Sequence, residues 1–516
     1  MEIAIKRSFL LPSNEIYTQT AGFYDYGPAG ALLKHRIEEQ WRSFFLRQEG
    51  NFEVETATIL PEIVLKASGH AANFADPLVS CAKCKNKFRA DHLIEEAVVK
   101  KAEKHGKKES GAGEKHNDSE AHRENLEGLN PQQLEARIKE LGIKCPQCGG
   151  EMEGVGWFNL MFRTNIGPVD GNTAYARPET AQGIFLDFPR IYRNYGGKLP
   201  IAIGQVGKSY RNEISPRQGL VRLREFTQME LEYFFNPKIP TIEGFAQKKD
   251  AKMRIAVEGG EPQQGTAGSF VADGTIPNEI LAYFMAKEYE FYAALGLPYE
   301  KFWFRKLTKQ QTPHYSGGNF DMEVETSYGV IETIGNAYRT DYDLSAHAKM
   351  SKQDLSVFVE EEKAKIIPHV VEPSMGSDRL FWCVLEHCFR DKSAEKDWEW
   401  FDFPPAIAPF AVAVFPLMKK DGLAQKAQGI AQSLRQSHLD ITYSESGSIG
   451  RRYARADEIG TPYCLTIDYD TLDEKSEKFG TVTIRYRNDG KQERLQIADL
   501  AKIIKQNIGE GKTRMG

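Results

Sequence analysis

The sequence contains no apolar run approaching the roughly 20 residues that a helix needs to cross a bilayer. That excludes a protein built on membrane-spanning helices. Its start, MEIAIKRSFLLPSNEIY, lacks the long apolar segment of a secretory signal, so a cytoplasmic protein is expected. Cysteine is sparse, with seven in 516 residues, and four of these form the pairs Cys81-x2-Cys84 and Cys145-x2-Cys148. In a cytosolic chain such pairs point to metal rather than to a disulfide framework. An excess of one charge is missing as well. The net charge of −5 means that any nucleic-acid binding needs local basic surface. Arg451, Arg452, Arg455, Arg485 and Arg487 could supply it, or could form an ordinary solvated face. What remains is the composition of a soluble globular protein, long enough for two to four domains.

Ala31 to Gln48 carries a helical pattern, with Leu33, Ile37, Trp41 and Phe45 recurring every fourth residue. A β-rich run from Phe52 to Leu60 follows and stops at Pro61. Residues 81–150 read as an insertion bracketed by the cysteine pairs. Its centre, KKAEKHGKKESGAGEKHNDSEAHREN, is too polar to bury much apolar surface. Four thiolates on two tight knuckles would make a closed tetrahedral site, which suits a structural zinc. His92, His105, His116 and His122 are alternative ligands or solvated loop residues. Gly154 to Phe235 is strand-rich, a helix is expected over Glu279 to Leu295, and Phe302 to Thr340 returns to strand. Ile366 to Phe389 reads as a strand–helix unit, and DWEWFDFPPAIAP as a linker. Beyond it strand and helix alternate: strands at Phe410–Leu417, Ile441–Ser444, Tyr463–Ile467 and Val482–Tyr486, with a helix over Gly422 to Gln436. This suggests a compact α/β domain.

The chemistry concentrates in GQVGKSYRNEISPRQGLVRLREFTQMELEYFF, a strand, a polar loop and a second strand. Arg211 and Glu213 end the first strand; Arg224, Glu225 and Phe226 open the second. Far downstream Gly376-Ser377-Asp378-Arg379 starts an apolar helix. Arginines on a sheet and at a helix start, with an aromatic ring between them, suit a bent nucleoside triphosphate. The combination resembles motifs 2 and 3 of the class II aminoacyl-tRNA synthetases. VGWFNLMF, RPETAQGIF and YRTDYDLSAH narrow the likeness to the single-chain glycyl type. The helix and strand of residues 31–61 resemble motif 1, which in that family forms much of a homodimer interface. The tail resembles the anticodon-binding domain shared by glycyl, histidyl, prolyl and threonyl enzymes.

The resemblance implies an α+β class II catalytic core, an antiparallel sheet flanked by helices, with a C-terminal α/β anticodon-binding domain. The implied division is 1–80 core with motif 1, 81–150 zinc-binding insertion, 151–395 core with motifs 2 and 3, 396–409 linker and 410–516 anticodon-binding domain. The implied reaction joins glycine to ATP as an adenylate and then to tRNA(Gly), with Mg2+ assisting. The attacking carboxylate is already a nucleophile, so the task is to hold two anions together and to stabilise charge growing on phosphate. Guanidinium groups stay charged and bind phosphate oxygens in a fork.

By the same resemblance Arg211 would meet the α-phosphate, Glu213 the adenine amino group and Phe226 the adenine face. Arg379 would grip the γ-phosphate, helped by the N-terminus of its helix. Glu332 would hold magnesium. Asn212, Val221, Arg222, Leu223, Arg224, Glu225, Thr333, Gly376, Ser377 and Asp378 complete the implied ATP site. Glu179, Glu230 and Ser374 would cage the glycine ammonium, with Arg89 nearby. Phe226, Thr227, Gln228, Met229, Glu372, Pro373, Met375 and Gly376 would line that pocket. Period-2 alternation places Gln228, Glu230 and Glu232 on one face of their strand. Glu232, Asp321, Glu323 and Glu325 fit a substrate site or plain salt bridges equally, as does His314 a structural role. Arg451 to Glu458 and Tyr463 are candidates for reading anticodon bases. Competing readings are a threonyl or prolyl enzyme sharing the tail domain, and a non-catalytic protein on the same scaffold.

Overall fold

The computed structural model describes residues 2–509 except 18–19, 110–128, 169–170, 217–218, 258, 309–310, 312–315, 361 and 395. His314 and the centre of the polar insertion therefore lie outside the described residues, as do His116 and His122.

A nine-stranded sheet organises the larger part of the chain. Its spatial order is Gln263–Thr266, Lys252–Val257, Phe302–Lys306, Asn319–Thr326, Gly329–Thr340, His369–Gly376, Glu225–Phe235, Ile201–Tyr210 and Phe52–Glu53. The six strands from Phe302–Lys306 to Ile201–Tyr210 are antiparallel throughout; only the flanking pairings of Lys252–Val257 and of Phe52–Glu53 with this block are parallel. Alternation assigns the two faces. Met229, Leu231, Tyr233 and Phe235 enter the main core beneath the helix Glu279–Ala294. Phe234, on the opposite face, stacks on Phe188 with ring centroids 4.0 Å apart. Phe188 belongs to the helix Ala181–Asn194, which interrupts the strand-rich stretch expected over 154–235. Its spacing of Ile184, Phe185, Phe188 and Tyr192 is a helical stripe that the neighbouring strand patterns masked.

The helix expected from Ala31 runs from Pro28 to Trp41 and continues as a π-helix over Arg42–Arg47, earlier at its start than the pattern implied. Proline suits a first helical turn because its missing N–H has no partner there. The Phe52–Leu60 run is not one strand but two short ones, Phe52–Glu53 and Ile59–Pro61, in different sheets. Arg177 explains the break. Its guanidinium donates to the Thr56 carbonyl and hydroxyl, each at 3.0 Å, and its amide to the Thr58 carbonyl at 2.8 Å. The intervening backbone therefore serves a buried arginine instead of a ladder.

The cysteine-bracketed segment has its own small core, from Val79 to Met152, on a three-stranded sheet. The helix Ala90–Glu109 enters the polar stretch, and Pro131–Glu140 packs against it. The tail forms a five-stranded mixed sheet; the helices Leu423–Gln436 and Leu500–Gly509 share a second hydrophobic core with it, and Ile449–Ile459 packs in a smaller cluster with Phe415 and Cys464. Lys6 and Arg7 reach Glu458, so the N-terminus ties the two large units together.

Candidate active site

The strands Ile201–Tyr210 and Glu225–Phe235 pair from Ile201–Phe234 to Tyr210–Glu225. The Arg211 amide donates to the Arg224 carbonyl at 2.9 Å and closes the loop base. Arg211 is then fixed on three sides: its Nε donates to the Pro178 carbonyl at 3.1 Å, and its guanidinium lies 5.3 Å from the ring centres of both Phe74 and Phe226. Gly207 makes room for the neighbouring Arg177, because a Cβ there would come 2.3 Å from its guanidinium.

Arg379 enters from the start of the helix Ser377–Cys388. Its Nε donates to the Val221 carbonyl at 3.0 Å and one terminal nitrogen to the Glu332 carbonyl at 2.8 Å. It thus ties the loop to the strand Gly329–Thr340 with its guanidinium on the cleft. The Glu332 carboxylate lies 3.7 Å away and is half exposed. Asp321 stands close by, and burial followed by the Glu332 charge pushes its carboxyl up to about 7.

The cleft floor is acidic. Glu230 accepts from the Thr180 amide at 3.0 Å, the Thr180 hydroxyl, Gln228 Nε2 at 2.7 Å and the Ser374 hydroxyl at 2.6 Å. Glu179 accepts from Gln182 at 2.7 Å and lies 3.2 Å from His70 Nε2. Burial would raise the Glu179 carboxyl, but the His70 ring, Arg339 and Gln182 outweigh it and hold it below the usual carboxylate range. Arg339 anchors the floor. Two of its nitrogens grip Asp343 at 2.7 and 2.9 Å, and the third donates to Glu372 at 2.8 Å. Despite Arg339, burial and the surrounding carboxylates push Glu372 up to about 8.

One cleft brings together Glu179, Arg211, Glu213, Val221, Arg222, Leu223, Phe226, Gln228, Glu230, Glu332, Thr333, Glu372, Ser374, Gly376, Asp378 and Arg379. The other expected residues do not line it. Met229 and Met375 are fully buried in the core on the far side of the sheet. The Thr227 amide donates to Asp378, and the Ser377 hydroxyl to Glu38. Arg224 braces the loop through the Glu213 and Ala21 carbonyls, and Glu225 pairs with Lys208. Asn212 donates its amide to the Leu160 carbonyl, and Pro373 pairs with Asn336 inside the sheet. Arg89 is held by Asp76 and Asp91. It interacts with His92, which is 3.4 Å from Arg222 and is pushed down to about 4 by burial and the two arginines. Arg339 and Asn319 line the cleft without having been singled out. Arg339 stood inside the quoted YRTDYDLSAH with Asp343 at i+4, a spacing that could have flagged the pair, whereas Glu372 gave no local sign.

Residues 411–507 match the family described as Anticodon binding domain. Over nearly its whole length the chain is also similar to archaeal proteins named glycine–tRNA ligase. It is 39% identical to that of Methanothrix thermoacetophila, across 98% of this chain and 96% of the relative. It is 37% identical to those of Methanocaldococcus jannaschii and Methanothermobacter thermautotrophicus, across 99% of this chain and 98% of each relative. The chain belongs to the glycine–tRNA ligase family. Membership of the glycine–tRNA ligases sets aside the threonyl and prolyl readings.

Two features outside the cleft complete this glycine–tRNA ligase family member. The four sulfurs of Cys81, Cys84, Cys145 and Cys148 lie within 4.8 Å of one another. Cys81 and Cys148 are 3.5 Å apart, Cys84 and Cys145 3.6 Å. A tetrahedral zinc with Zn–S bonds of about 2.3 Å has sulfur–sulfur edges of about 3.8 Å, so the cage fits that ion. The two knuckles match: Lys85 N donates to Cys81 O at 3.0 Å, and Gly149 N to Cys145 O at 2.9 Å. A hydrogen bond from the Asn86 backbone, opposed by burial and aided by the neighbouring thiols, brings Cys84 down to about 6, while, against a hydrogen bond from the Gly150 backbone, burial and the neighbouring thiols push Cys148 up to about 11. Among the described residues no histidine joins this group.

The expected basic surface of the tail needs correction. Arg452, Arg485 and Arg487 are buried. Arg452 donates to the Pro416 and Leu417 carbonyls, Arg485 grips Asp457 at 2.8 and 3.0 Å, and Arg487 holds the Gly460 and Phe403 carbonyls. Tyr463 is wholly buried and cannot meet a base. Arg451, on the helix Ile449–Ile459, is exposed.

Proposed function

We propose that this protein activates glycine with ATP to glycyl-adenylate and transfers the glycyl group to the 3′ end of tRNA(Gly). The observation that carries the reading is one cleft where Arg211 and Arg379 face a carboxylate floor. The family membership supports the activity, and the matched anticodon-binding domain supports tRNA as the second substrate. On this reading the larger unit is a class II catalytic core.

In this arrangement Arg211, braced by two rings and a carbonyl, meets the α-phosphate and the glycine carboxylate with little further ordering. Preorganised charge of this kind stabilises the phosphorane-like transition state without reorganisation at the moment of reaction. Arg379 spans loop and strand and takes the γ-phosphate, so triphosphate binding also fixes the loop. Glu332 would hold magnesium, which would neutralise phosphate charge. Glu179, Glu230 and Ser374 receive the ammonium and set the carboxylate toward the α-phosphate. Cys81, Cys84, Cys145 and Cys148 would hold a structural zinc. The reading includes a homodimer acting in the cytoplasm. A non-catalytic scaffold protein would have no need to keep Arg211, Glu213, Glu332 and Arg379 on one cleft.

The test is ATP–pyrophosphate exchange on purified protein. Exchange stimulated by glycine, not by alanine, threonine or proline, followed by charging of tRNA(Gly), is expected. Absence of glycine-dependent exchange overturns the proposal.

A further inference from the structure

The acidic floor holds more carboxyl groups than its guanidinium can neutralise, and the hydrogen bonds separate them into two kinds. Glu230 has four donors, Asp343 takes two from Arg339 and one from Gln182, and Glu372 takes one from Arg339. Glu179 takes one from Gln182 and lies beside His70. Glu232 is fully buried, and neither of its oxygens has a donor among the described residues. The strand register sharpens the contrast. Glu230 stands opposite Ser374 and Tyr233 opposite Val371, which puts Glu232 directly across from Glu372. Like charges directly opposite on a sheet repel, and a buried carboxylate without donors is costly.

We propose that Glu232 carries a proton at neutral pH and donates it to Glu372, acting as a neutral positioning acid for the glycine pocket. Burial and the surrounding carboxylates raise Glu372 as well, so the pair holds a shared proton; it belongs on Glu232, whose oxygens have no donor, because Glu372 accepts from the Arg339 guanidinium, which favours its ionised form. The charged neighbours agree. From every packed element those facing Glu232 are Glu230 on its own strand, Glu372 across the ladder and Arg339 beyond it. Burial first, then Glu372, keeps the Glu232 carboxyl well above its ordinary range. A carboxylic O–H at this point gives Glu372 a second fixed donor besides Arg339. The floor stays acidic enough to attract an ammonium while Glu232 no longer sets a like charge opposite Glu372. The role in glycine binding rests on the activity proposed above; the proton itself does not.

The experiment has two arms. Infrared difference spectra of wild type against Glu232→Gln at neutral pH need no substrate, and a carboxylic-acid carbonyl band present only in wild type is expected. Identical spectra overturn the proton assignment, whatever the protein's activity. In the second arm, glycine and ATP saturation are compared for Glu232→Gln and Glu232→Ala. The amide donates as the acid does, so its glycine KM should rise by no more than about three-fold, against about ten-fold or more for alanine, with the ATP KM unchanged in both. Glutamine as damaging as alanine, or alanine without effect on the glycine KM, overturns the positioning role. Should the alanine variant not fold, the spectra and the glycine KM of the glutamine variant still decide. No glycine activation in wild type would overturn the proposed activity and leave the spectral result standing.

Discussion

Replacing Glu230 by glutamine tests the ammonium cage most directly. The wild-type carboxylate receives four donors, two on each oxygen: the Thr180 amide and hydroxyl on one, Gln228 and Ser374 on the other. A glutamine keeps one acceptor oxygen and turns an NH2 toward the remaining donors. It also removes the charge that an ammonium would meet. A hydrogen bond to a charged group contributes about 1.5–3 kcal/mol, and each 1.4 kcal/mol is ten-fold in binding. The glycine KM in pyrophosphate exchange should therefore rise about 10- to 100-fold. The ATP KM should stay within about two-fold, because the Arg211 and Arg379 contacts do not involve this carboxylate. A urea melt run alongside separates lost binding from lost folding. An unchanged glycine KM, or an equal rise in both constants with an intact fold, would refute the role given to Glu230.

Other outcomes are equally open to measurement. Arg379→Ala should abolish exchange while leaving the unfolding midpoint nearly unchanged; wild-type exchange would remove Arg379 from the triphosphate site. Glu288 is fully buried with one donor, Asn336 at 2.9 Å, and burial pushes its carboxyl from 4.5 up to about 8. Because the folded value is the higher, the stability that this group contributes is full below about pH 4.5 and is lost as pH rises toward 8. Holding the proton at pH 7 costs about 3 kcal/mol, so Glu288→Gln should gain up to about that amount and flatten the pH dependence of stability. A variant less stable than wild type at pH 7 would count against this. Metal analysis should find about one zinc per chain, and a chelator should speed hydrogen exchange across residues 75–159 while sparing the tail domain. Protein that holds no zinc and exchanges no faster with chelator would rule the centre out.

Some of this molecule was written locally. The alternation of Gln228, Glu230 and Glu232 against Met229, Leu231 and Tyr233 assigns the faces of a strand before any partner is known, because successive side chains must point opposite ways. The cysteine pairs announce their cage for a similar reason, since each knuckle is closed by its own backbone hydrogen bonds. The expected tail strands and the helix Glu279–Ala294 likewise follow from short-range pattern.

Partners distant in the chain followed a different rule. Nothing near Arg452, Arg485 or Arg487 distinguishes a solvated arginine from one buried against carbonyls and Asp457. Arg339 has Asp343 four residues away, but it became the anchor of the floor only when the distant Glu372 was folded against it. The run Phe52–Leu60 had strand character throughout and was divided by a guanidinium more than a hundred residues away. Local pattern determined which residues are apolar, which face they take and where chains turn. Packing decided which charges meet, because the cost of a buried charge depends on neighbours that only the tertiary structure supplies.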